Sequence, residues 1–276
     1  MELKFGTAGI PLSAKGKGTI EGIMEVKRLG LGAMELEFVR GVRLSEKGAM
    51  EVGAVAKSLN VTLTAHGPYY INLNSSDKAK VDASVKRILD TAKVAYAAGG
   101  YSITFHTAYY GNSSKAETYA RIKKALTKVI RELQDNGITI WVRPETTGKR
   151  SQFGTLDEVI KLSEELEMVM PCIDFAHIHA RSRGAYNSYE EFSSILELIE
   201  RRLGKEALRE MHIHVSGIEY GERGEVRHLN LKESDFKYAD LLKAFKEFKV
   251  GGVVISESPN IEGDALLLKE CYLKDP

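Results

Sequence analysis

The chain has 276 residues, of which 43% are hydrophobic and 28% are charged, and its formal net charge is +1. This near-neutral balance gives no global basic signature, so a partner that carries phosphate would have to be met by a local basic patch. The two cysteines are too few for a disulfide framework or a cysteine-type zinc site. Because we find neither a signal peptide nor an apolar membrane span, we expect a cytoplasmic protein with no membrane partner.

Short apolar segments alternate with amphipathic segments along the chain. The apolar segments predict strands at 3–11, 33–39, 61–65, 102–105, 139–142, 168–173, 211–215 and 252–256. The segments between them predict helices at 19–29, 44–59, 77–98, 114–133, 156–166, 188–202, 234–248 and 263–273.

Eight strand–helix units follow one another without a linker or a low-complexity segment. Strands that alternate with helices form a parallel sheet, and eight units in roughly 250 residues is the count of a (β/α)8 barrel. We therefore predict an α/β fold, a (β/α)8 TIM barrel that forms a single domain over residues 1–276. A doubly wound open sheet is the alternative, but it usually carries a glycine-rich phosphate fingerprint in its first turn, and the segment Gly6 to Pro11 is not one.

The stretch Val169–His179 begins as an apolar strand and then presents Asp174, His177 and His179. Buried carboxylates and imidazoles have to be paired or coordinated, which indicates a metal site at the carboxyl end of this strand. Similar side chains lie on or just after other predicted strands, and these are His66, His106, Glu145, His212, His214 and Glu257, with His228 in the loop after strand seven. We expect all seven histidines in strand seven, at strand ends or in the following loops, and none on a helix.

These side chains should converge on one rim, because barrel active sites lie at the carboxyl ends of the strands. Histidine and carboxylate ligands without thiolate suit Zn²⁺, with Mn²⁺ or Fe²⁺ as alternatives. The ligands are too numerous for one tetrahedral ion, so we expect two or three ions that share bridging carboxylates. Such a site suits in-line displacement at phosphorus, because the ions stabilise both the attacking and the leaving oxygen.

The strand-end residues lie in motifs of defined spacing. The motifs are His66-Gly-Pro-Tyr-Tyr-Ile-Asn72, Phe105-His106, the loop Glu145 to Gly154, Cys172-Ile-Asp174-Phe-Ala-His177, Met211-His212-Ile213, Arg227-His228 and Ile255-Ser-Glu257. By these segments, over nearly its whole length, the sequence resembles the endonuclease IV type of apurinic/apyrimidinic endonucleases, within the xylose-isomerase-like barrels.

The resemblance implies a ligand set. It places His66, His106 and Glu145 around one zinc, and Glu145 would bridge to a second ion that is held by Asp174, His212 and Glu257. His177 and His228 would hold a third ion. Glu145 and Glu257 would be the catalytic carboxylates, and a bridging hydroxide would attack the phosphorus 5′ to an abasic site in DNA and leave a 3′-hydroxyl.

Two positions depart from the pattern of the family. An aspartate usually precedes the loop histidine by two residues, and Val226 occupies that position here, so that Glu225 or Glu219 would have to substitute. His214 stands where the family usually has an amide, and either His212 or His214 could be the ligand, because residues two apart on a strand face the same way.

The expected partner is damaged DNA, bound by a monomer. The resemblance suggests that Tyr69 contacts or wedges into the DNA, and rim arginines would meet its phosphates, namely Arg40, Arg150, Arg181 and Arg227. The segment after strand two does not resemble the usual DNA-reading loop of the family.

A metal-dependent sugar isomerase or epimerase on the same barrel is the alternative enzyme. It needs one or two ions and typically fewer histidines, and Glu37, on the rim after strand two, is the feature that favours it. About three zinc ions per chain would favour the nuclease, and one Mn²⁺ or Co²⁺ would favour the isomerase.

Overall fold

The computed structural model describes residues 2–274 and contains twelve strands and nine α-helices within that range. The strands are β1 (Leu3–Ala8), β2 (Ala33–Glu37), β3 (Thr62–His66), β4 (Ser102–Phe105), β5 (Ala108–Tyr109), β6 (Trp141–Pro144), β7 (Gln152–Phe153), β8 (Cys172–Asp174), β9 (Met211–Val215), β10 (Gly217–Gly221), β11 (Gly224–Leu229) and β12 (Gly252–Ser256). The helices are α1 (Thr19–Arg28), α2 (Glu46–Ser58), α3 (Lys78–Ala97), α4 (Lys115–Asp135), α5 (Leu156–Glu165), α6 (Phe175–Arg181), α7 (Tyr189–Leu203), α8 (Tyr238–Glu247) and α9 (Glu262–Lys274).

Eight of the strands form one parallel sheet in the order β6-β4-β3-β2-β1-β12-β9-β8. Its two end strands meet, because the Val142 amide donates to the Met168 carbonyl at 2.9 Å and the Thr146 amide donates to the Cys172 carbonyl at 3.1 Å. The sheet is therefore a barrel, and the predicted (β/α)8 fold is confirmed. Within the described residues, no helix has the length and apolar character needed to span a bilayer.

Local signals explain why the helices begin where the sequence predicts them. Ser114 and Thr155 each form a capping box with a glutamate three residues later, at the start of α4 and α5. The helices bury one apolar face against the barrel, as α4 does with Ile122, Leu126 and Val129.

Close approach of the first two strands depends on Gly6. A Cβ atom built at this glycine would lie 2.2 Å from the carbonyl oxygen of Ala33 on β2. Since both strands are held in register by the parallel ladder, there is no room for a side chain at this point.

The structure corrects one expectation about the histidines. His177 and His179 lie on a helix, α6, which begins directly after β8. Asp174 caps this helix, because its carboxylate accepts a hydrogen bond from the His177 backbone amide at 2.6 Å. The same residue that ends the strand thus starts a helical turn, which the sequence pattern did not indicate.

Two small antiparallel ribbons stand above the barrel and were not predicted. β5 pairs with β7, and β10 pairs with β11 in the connection that follows β9. The β10–β11 hairpin is joined to the loop after β6, because the Glu225 amide donates to the Gly148 carbonyl at 3.1 Å and the Arg150 amide donates to the Arg223 carbonyl at 3.2 Å. Both ribbons therefore shape the mouth at the carboxyl ends of the strands.

Candidate metal centre

The strand-end side chains converge on a cavity of about 410 Å³ at the mouth of the barrel. Its lining includes Glu37, His66, Tyr69, His106, Lys149, His177, Glu225, His228 and Glu257. Within the described residues, four groups of ligand atoms lie close enough together to hold an ion each. Three of these groups contain residues that line the cavity, and the fourth consists of Cys172, His212 and His214, none of which lines it.

The first group consists of His66, His106 and Glu145. The Nε2 atom of His66 lies 3.2 Å from Oε2 of Glu145, and the Nε2 atom of His106 lies 3.3 Å from Oε1. The Nδ1 atom of His66 lies 2.7 Å from the Gly67 carbonyl, to which it can donate a hydrogen bond. In that tautomer the Nε2 atom carries no proton and is available to an ion. The two carboxylate oxygens of Glu145 thus face different imidazoles.

The second group consists of Glu145, Asp174, His214 and Glu257. The Nδ1 atom of His214 lies 3.5 Å from Oε1 of Glu145 and 3.4 Å from Oε1 of Glu257. Glu145 belongs to this group as well as to the first, so one carboxylate lies between two sets of ligand atoms.

The expected place of His212 in this second group has to be corrected. His212 lies deeper in the barrel, where its Nε2 atom is 2.7 Å from Glu35 and its Nδ1 atom is 2.9 Å from the Ser102 hydroxyl. Residues two apart on a strand share a face but lie about 6.6 Å apart along it. Only His214 is close enough to the carboxyl end of β9 to meet Glu145 and Glu257.

The third group consists of Asp174, His177, His228 and Glu257. The Nδ1 atom of His177 lies 3.3 Å from Oδ2 of Asp174, and its Nε2 atom lies 3.2 Å from Nε2 of His228. Glu225 approaches the same group, because its Oε2 atom lies 3.6 Å from Nε2 of His177.

A bulge in the β10–β11 hairpin places Glu225 there. Glu219 pairs with Arg227 and Tyr220 pairs with Glu225, so Val226 is left without a partner in the ladder. The extra residue reverses the alternation of side chains, which turns Glu225 to the same face of the hairpin as His228 and leaves Val226 57% exposed. Of the two glutamates considered for this position, Glu225 faces the centre and Glu219 does not.

The spacing of the contacts fits shared ions. Two ligand atoms that are each about 2.0–2.1 Å from a tetrahedral ion lie roughly 3.3–3.4 Å apart. The contacts of Glu145 with His66, His106, His177 and His214 run from 3.2 to 3.5 Å. Within residues 2–274, the buried atoms Oε1 of Glu145, Oδ2 of Asp174 and Nδ1 of His214 have no hydrogen-bond partner. These groups could therefore hold metal ions.

The electrostatics of the centre agree with that conclusion. Burial would raise the pKa of Glu145, but the neighbouring His106 and His214 outweigh burial and hold that pKa well below its usual range. Burial raises the pKa of Asp174 to about 6, although His177 opposes the rise. Burial would lower the pKa values of His66, His177 and His214, but neighbouring acidic groups outweigh burial and raise all three pKa values. A divalent cation bound here would replace the protons that these imidazoles carry.

The arginines predicted to meet phosphate divide into two kinds. Arg40 and Arg150 are exposed, and neither forms an ion pair within the part of the chain that the structure describes. Arg181 instead donates to the hydroxyl of Thr147 at 3.1 Å and fastens the loop after β6, while Arg227 pairs with Glu219 at 2.6 Å. Only the first two arginines are free to contact a ligand.

Other side chains are placed as follows. The ring of Tyr69 is 65% exposed and its centroid lies 6.3 Å from that of His66, at the edge of the cavity. His179 is buried away from the three groups, with its Nε2 atom 3.0 Å from Asp235. Glu37 lines the cavity, and burial raises its pKa to about 8 although His66 opposes the rise.

Sequence reasoning overlooked Glu35. It is fully buried and contacts His212 and His214 from the opposite side of the barrel, through Nε2 atoms at 2.7 and 2.8 Å. A signal was present, because a carboxylate in the middle of an apolar strand has to be paired.

Comparisons with known proteins agree with the fold. The sequence model described as "Xylose isomerase-like TIM barrel" matches residues 23–271. An uncharacterized protein of Methanocaldococcus jannaschii is 49% identical over 270 residues, which covers 98% of this chain and 97% of the relative. A protein named probable endonuclease 4, from Mycoplasma pneumoniae, is 26% identical over 72% of this chain and 68% of its own length.

Solved structures share the fold at low identity. A D-tagatose 3-epimerase-like protein superimposes with a TM-score of 0.74 at 17% identity, over 99% of this chain and 97% of the other. Endonuclease IV from Thermus thermophilus superimposes with a TM-score of 0.73 at 19% identity, over 98% of this chain and 100% of the other. Both similarities establish the architecture and leave the reaction to be argued from the site.

Proposed function

Because this chain belongs to the xylose isomerase-like TIM barrel family, we propose that it is a metal-dependent phosphodiesterase of the endonuclease IV type, which hydrolyses the DNA backbone 5′ to abasic sites. The observation that supports this proposal most is the position of Glu145. Its carboxylate lies between the group of His66 and His106 and the group of Asp174, His214 and Glu257. A carboxylate in that position is suited to join two ions at the separation that in-line displacement at phosphorus requires.

The third ligand group adds to this argument. His177, His228 and Glu225 lie beside the shared carboxylates, and a phosphate that enters the cavity would meet ligand atoms on three sides. An enzyme that needs one ion would use Glu145, Asp174, His214 and Glu257 and would leave the other histidines without a role.

We propose Zn²⁺ as the resident ion, two or three per chain, with Mn²⁺ as the alternative, since the ligands are imidazole and carboxylate. Bound ions of this kind supply a nucleophile from water at neutral pH and neutralise charge on the phosphate. The chain contributes the rest. Glu145 and Glu257 set the spacing of the centre, Tyr69 contacts the nucleotide at the cavity edge, and Arg40 and Arg150 hold the flanking phosphates.

The second candidate is a metal-dependent sugar isomerase or epimerase. Glu37 favours it, because this carboxyl group lines the cavity and its pKa of about 8, raised by burial, suits proton transfer at neutral pH. Such a reaction moves protons on carbon and does not need the unpaired Arg40 and Arg150 at the rim.

One experiment separates the two candidates. The purified protein, loaded with zinc or manganese, is incubated with a duplex that contains one abasic site, with the undamaged duplex, and with a panel of ketoses and aldoses. We expect a nick 5′ to the abasic site that leaves a 3′-hydroxyl, which a polymerase can extend. Turnover of a sugar, with no nick in the abasic duplex, would contradict the nuclease assignment.

The rim arginines give a first quantitative prediction. Arg40→Ala and Arg150→Ala should each reduce the slope of log affinity against log salt, measured with the abasic duplex, by about one, because each removes one phosphate contact. Arg227→Ala is the matched control and should change the slope less, since this guanidinium is already paired with Glu219. Equal slopes for all four proteins would contradict the assignment.

The bulge gives a second prediction. Glu225→Ala should release the most weakly held ion in a chelator titration, because it removes a carboxylate that faces His177. Glu219→Ala should leave every ion in place. Val226→Asp should not tighten the site, because residue 226 is exposed and is not part of the cavity lining. Tighter binding in this variant would show that the hairpin is arranged differently.

A further inference from the structure

The small β5–β7 ribbon presents an amide side chain to the cavity at the barrel mouth. Tyr109 of β5 and Gln152 of β7 are direct partners in the antiparallel ladder, and both residues line the cavity. Residues that lie directly opposite each other in an antiparallel pair project to the same face. The phenol ring and the amide are therefore neighbours on the side of the ribbon that faces the metal ligands.

Contacts on both sides of Gln152 hold the ribbon in place. The next residue, Phe153, is fully buried, and its ring centroid lies 6.3 Å from that of Tyr110. The Thr147 amide donates to the Gly154 carbonyl at 3.0 Å, which joins the ribbon to the loop after β6. The position of the Gln152 side chain is thus fixed before a ligand enters the cavity.

The Gln152 amide is buried without a complete set of partners. The residue is 5% exposed, and its Oε1 atom has no hydrogen-bond partner within residues 2–274. Burying a polar atom in this way costs free energy unless a ligand or an ordered water supplies the missing bond. Rotation about the last side-chain bond exchanges Oε1 and Nε2, so the amide can offer the cavity an acceptor or a donor.

Among the described residues of the cavity lining, Gln152 is the one polar side chain that does not ionise. Glu37 also has a buried oxygen without a partner, but it is the ladder partner of His66, which belongs to the first ligand group. Gln152 belongs to none of the ligand groups. An uncharged amide outside the metal centre is suited to bind an uncharged group of the substrate, such as a hydroxyl.

An abasic residue in DNA offers one such group. In its ring form the deoxyribose has its 3′ and 5′ oxygens in phosphodiester bonds, so its single hydroxyl is on C1, where the base was attached. A complete nucleotide has its base at that position. A site that hydrogen-bonds a substrate hydroxyl discriminates against an analogue that lacks it, because the protein group is then left unpaired.

We propose that Gln152 is a specificity-determining residue, which binds the C1 hydroxyl of an abasic deoxyribose while the ring of Tyr109 covers the sugar. Tyr109 is 48% exposed, so its ring has a free apolar face beside the amide. This inference rests on the proposed function, because it takes the abasic residue of DNA as the ligand. A free aldose carries the same hydroxyl, and the test separates the two sources.

The test compares two duplexes of one sequence. One contains a natural abasic site, made by removing uracil with a uracil-DNA glycosylase, and the other contains tetrahydrofuran, which lacks the C1 hydroxyl. The value of kcat/KM for nicking is measured with zinc-loaded wild type, Gln152→Leu and Gln134→Leu, and folding is followed by circular dichroism. Gln134 is the matched control, because it is the other glutamine of the chain and lies exposed on α4.

We expect the wild type to nick the natural site with a kcat/KM roughly tenfold above that of the tetrahydrofuran site, as one hydrogen bond between uncharged groups provides. Gln152→Leu should slow the natural site alone, so that the ratio falls to about one. Gln134→Leu should keep the ratio of the wild type. If Gln152→Leu does not fold, Gln152→Met, which preserves the length of the side chain, decides.

Equal kcat/KM for the two duplexes in the wild type would overturn the inference, and so would a Gln152→Leu protein that keeps the wild-type ratio. Turnover of a free aldose with a KM that rises in Gln152→Leu, and no nick in either duplex, would overturn it in favour of a free sugar.

A wild type that nicks neither duplex and turns over no sugar would reject the proposed nuclease without deciding the role of Gln152. Fluorescence anisotropy of the labelled duplexes then decides that role. Tighter binding of the natural site, lost in Gln152→Leu, would support the hydroxyl contact. Equal affinities, or no binding of either duplex, would overturn it.

Discussion

Replacing Glu145 with glutamine is expected to lower cleavage of an abasic duplex by roughly three orders of magnitude or more, while the barrel remains folded. The amide has one acceptor oxygen, so it cannot serve both the group of His66 and His106 and the group that contains His214. The measurement is the single-turnover rate of nicking, together with the number of ions per chain. We expect at least one ion to be lost.

Glu219→Gln is the control for this variant. It makes the same chemical change on the exposed outer face of the β10–β11 hairpin, and it should keep the rate and the ion count of the wild type. A Glu145→Gln protein with near-normal turnover and metal content would show that this carboxylate does not join two ions.

Replacing Gly6 with alanine is expected to destabilise the barrel by about 3 kcal/mol or more, at the upper end of what overpacking costs. The new methyl group would lie 2.2 Å from the Ala33 carbonyl oxygen and 2.7 Å from its Cβ. Both atoms belong to β2, which is paired on its other side with β3 and cannot move alone. The midpoint of urea unfolding, followed by circular dichroism, measures the effect.

Gly221→Ala serves as the matched control, because a Cβ atom at that position meets nothing within 4 Å. It should change the free energy of unfolding by about a few tenths of a kcal/mol at most. If Gly6→Ala and Gly221→Ala unfold at the same urea concentration, β1 and β2 can separate to accommodate the methyl group, which would contradict the prediction.

The sequence predicted the barrel because the information for it is local and repeated. Each strand is a short apolar run, each helix carries one apolar face, and signals such as the capping box of Ser114 mark where helices begin. Boundaries shifted by a few residues, as in the strand predicted at 139–142, which the structure places at Trp141–Pro144.

The sequence could not decide between His212 and His214. Alternation along a strand determines which face a side chain occupies, but it does not determine how deep that side chain lies in the barrel. Depth follows from how far each strand extends relative to its neighbours, and β9 aligns Asp174 with His214 and Cys172 with His212. That register is a property of the closed sheet.

The α6 helix and the hairpin bulge were missed for a related reason. Asp174 has a side chain suited both to a ligand and to a helix cap, and the sequence gives no preference between these uses. A bulge has no reliable sequence signal, because it depends on how two strands fit together across the hairpin.

The unpaired Val226 also affects how relatives of this chain should be aligned. A bulge adds one residue to one strand of a pair. A column-by-column comparison therefore pairs Val226 with the carboxylate of the endonuclease IV pattern. The column would then be scored as a loss, although the neighbouring Glu225 turns a carboxylate towards His177. Homologues with an apolar residue here should be aligned with a one-residue gap, so that an acidic residue directly before it is compared with that carboxylate.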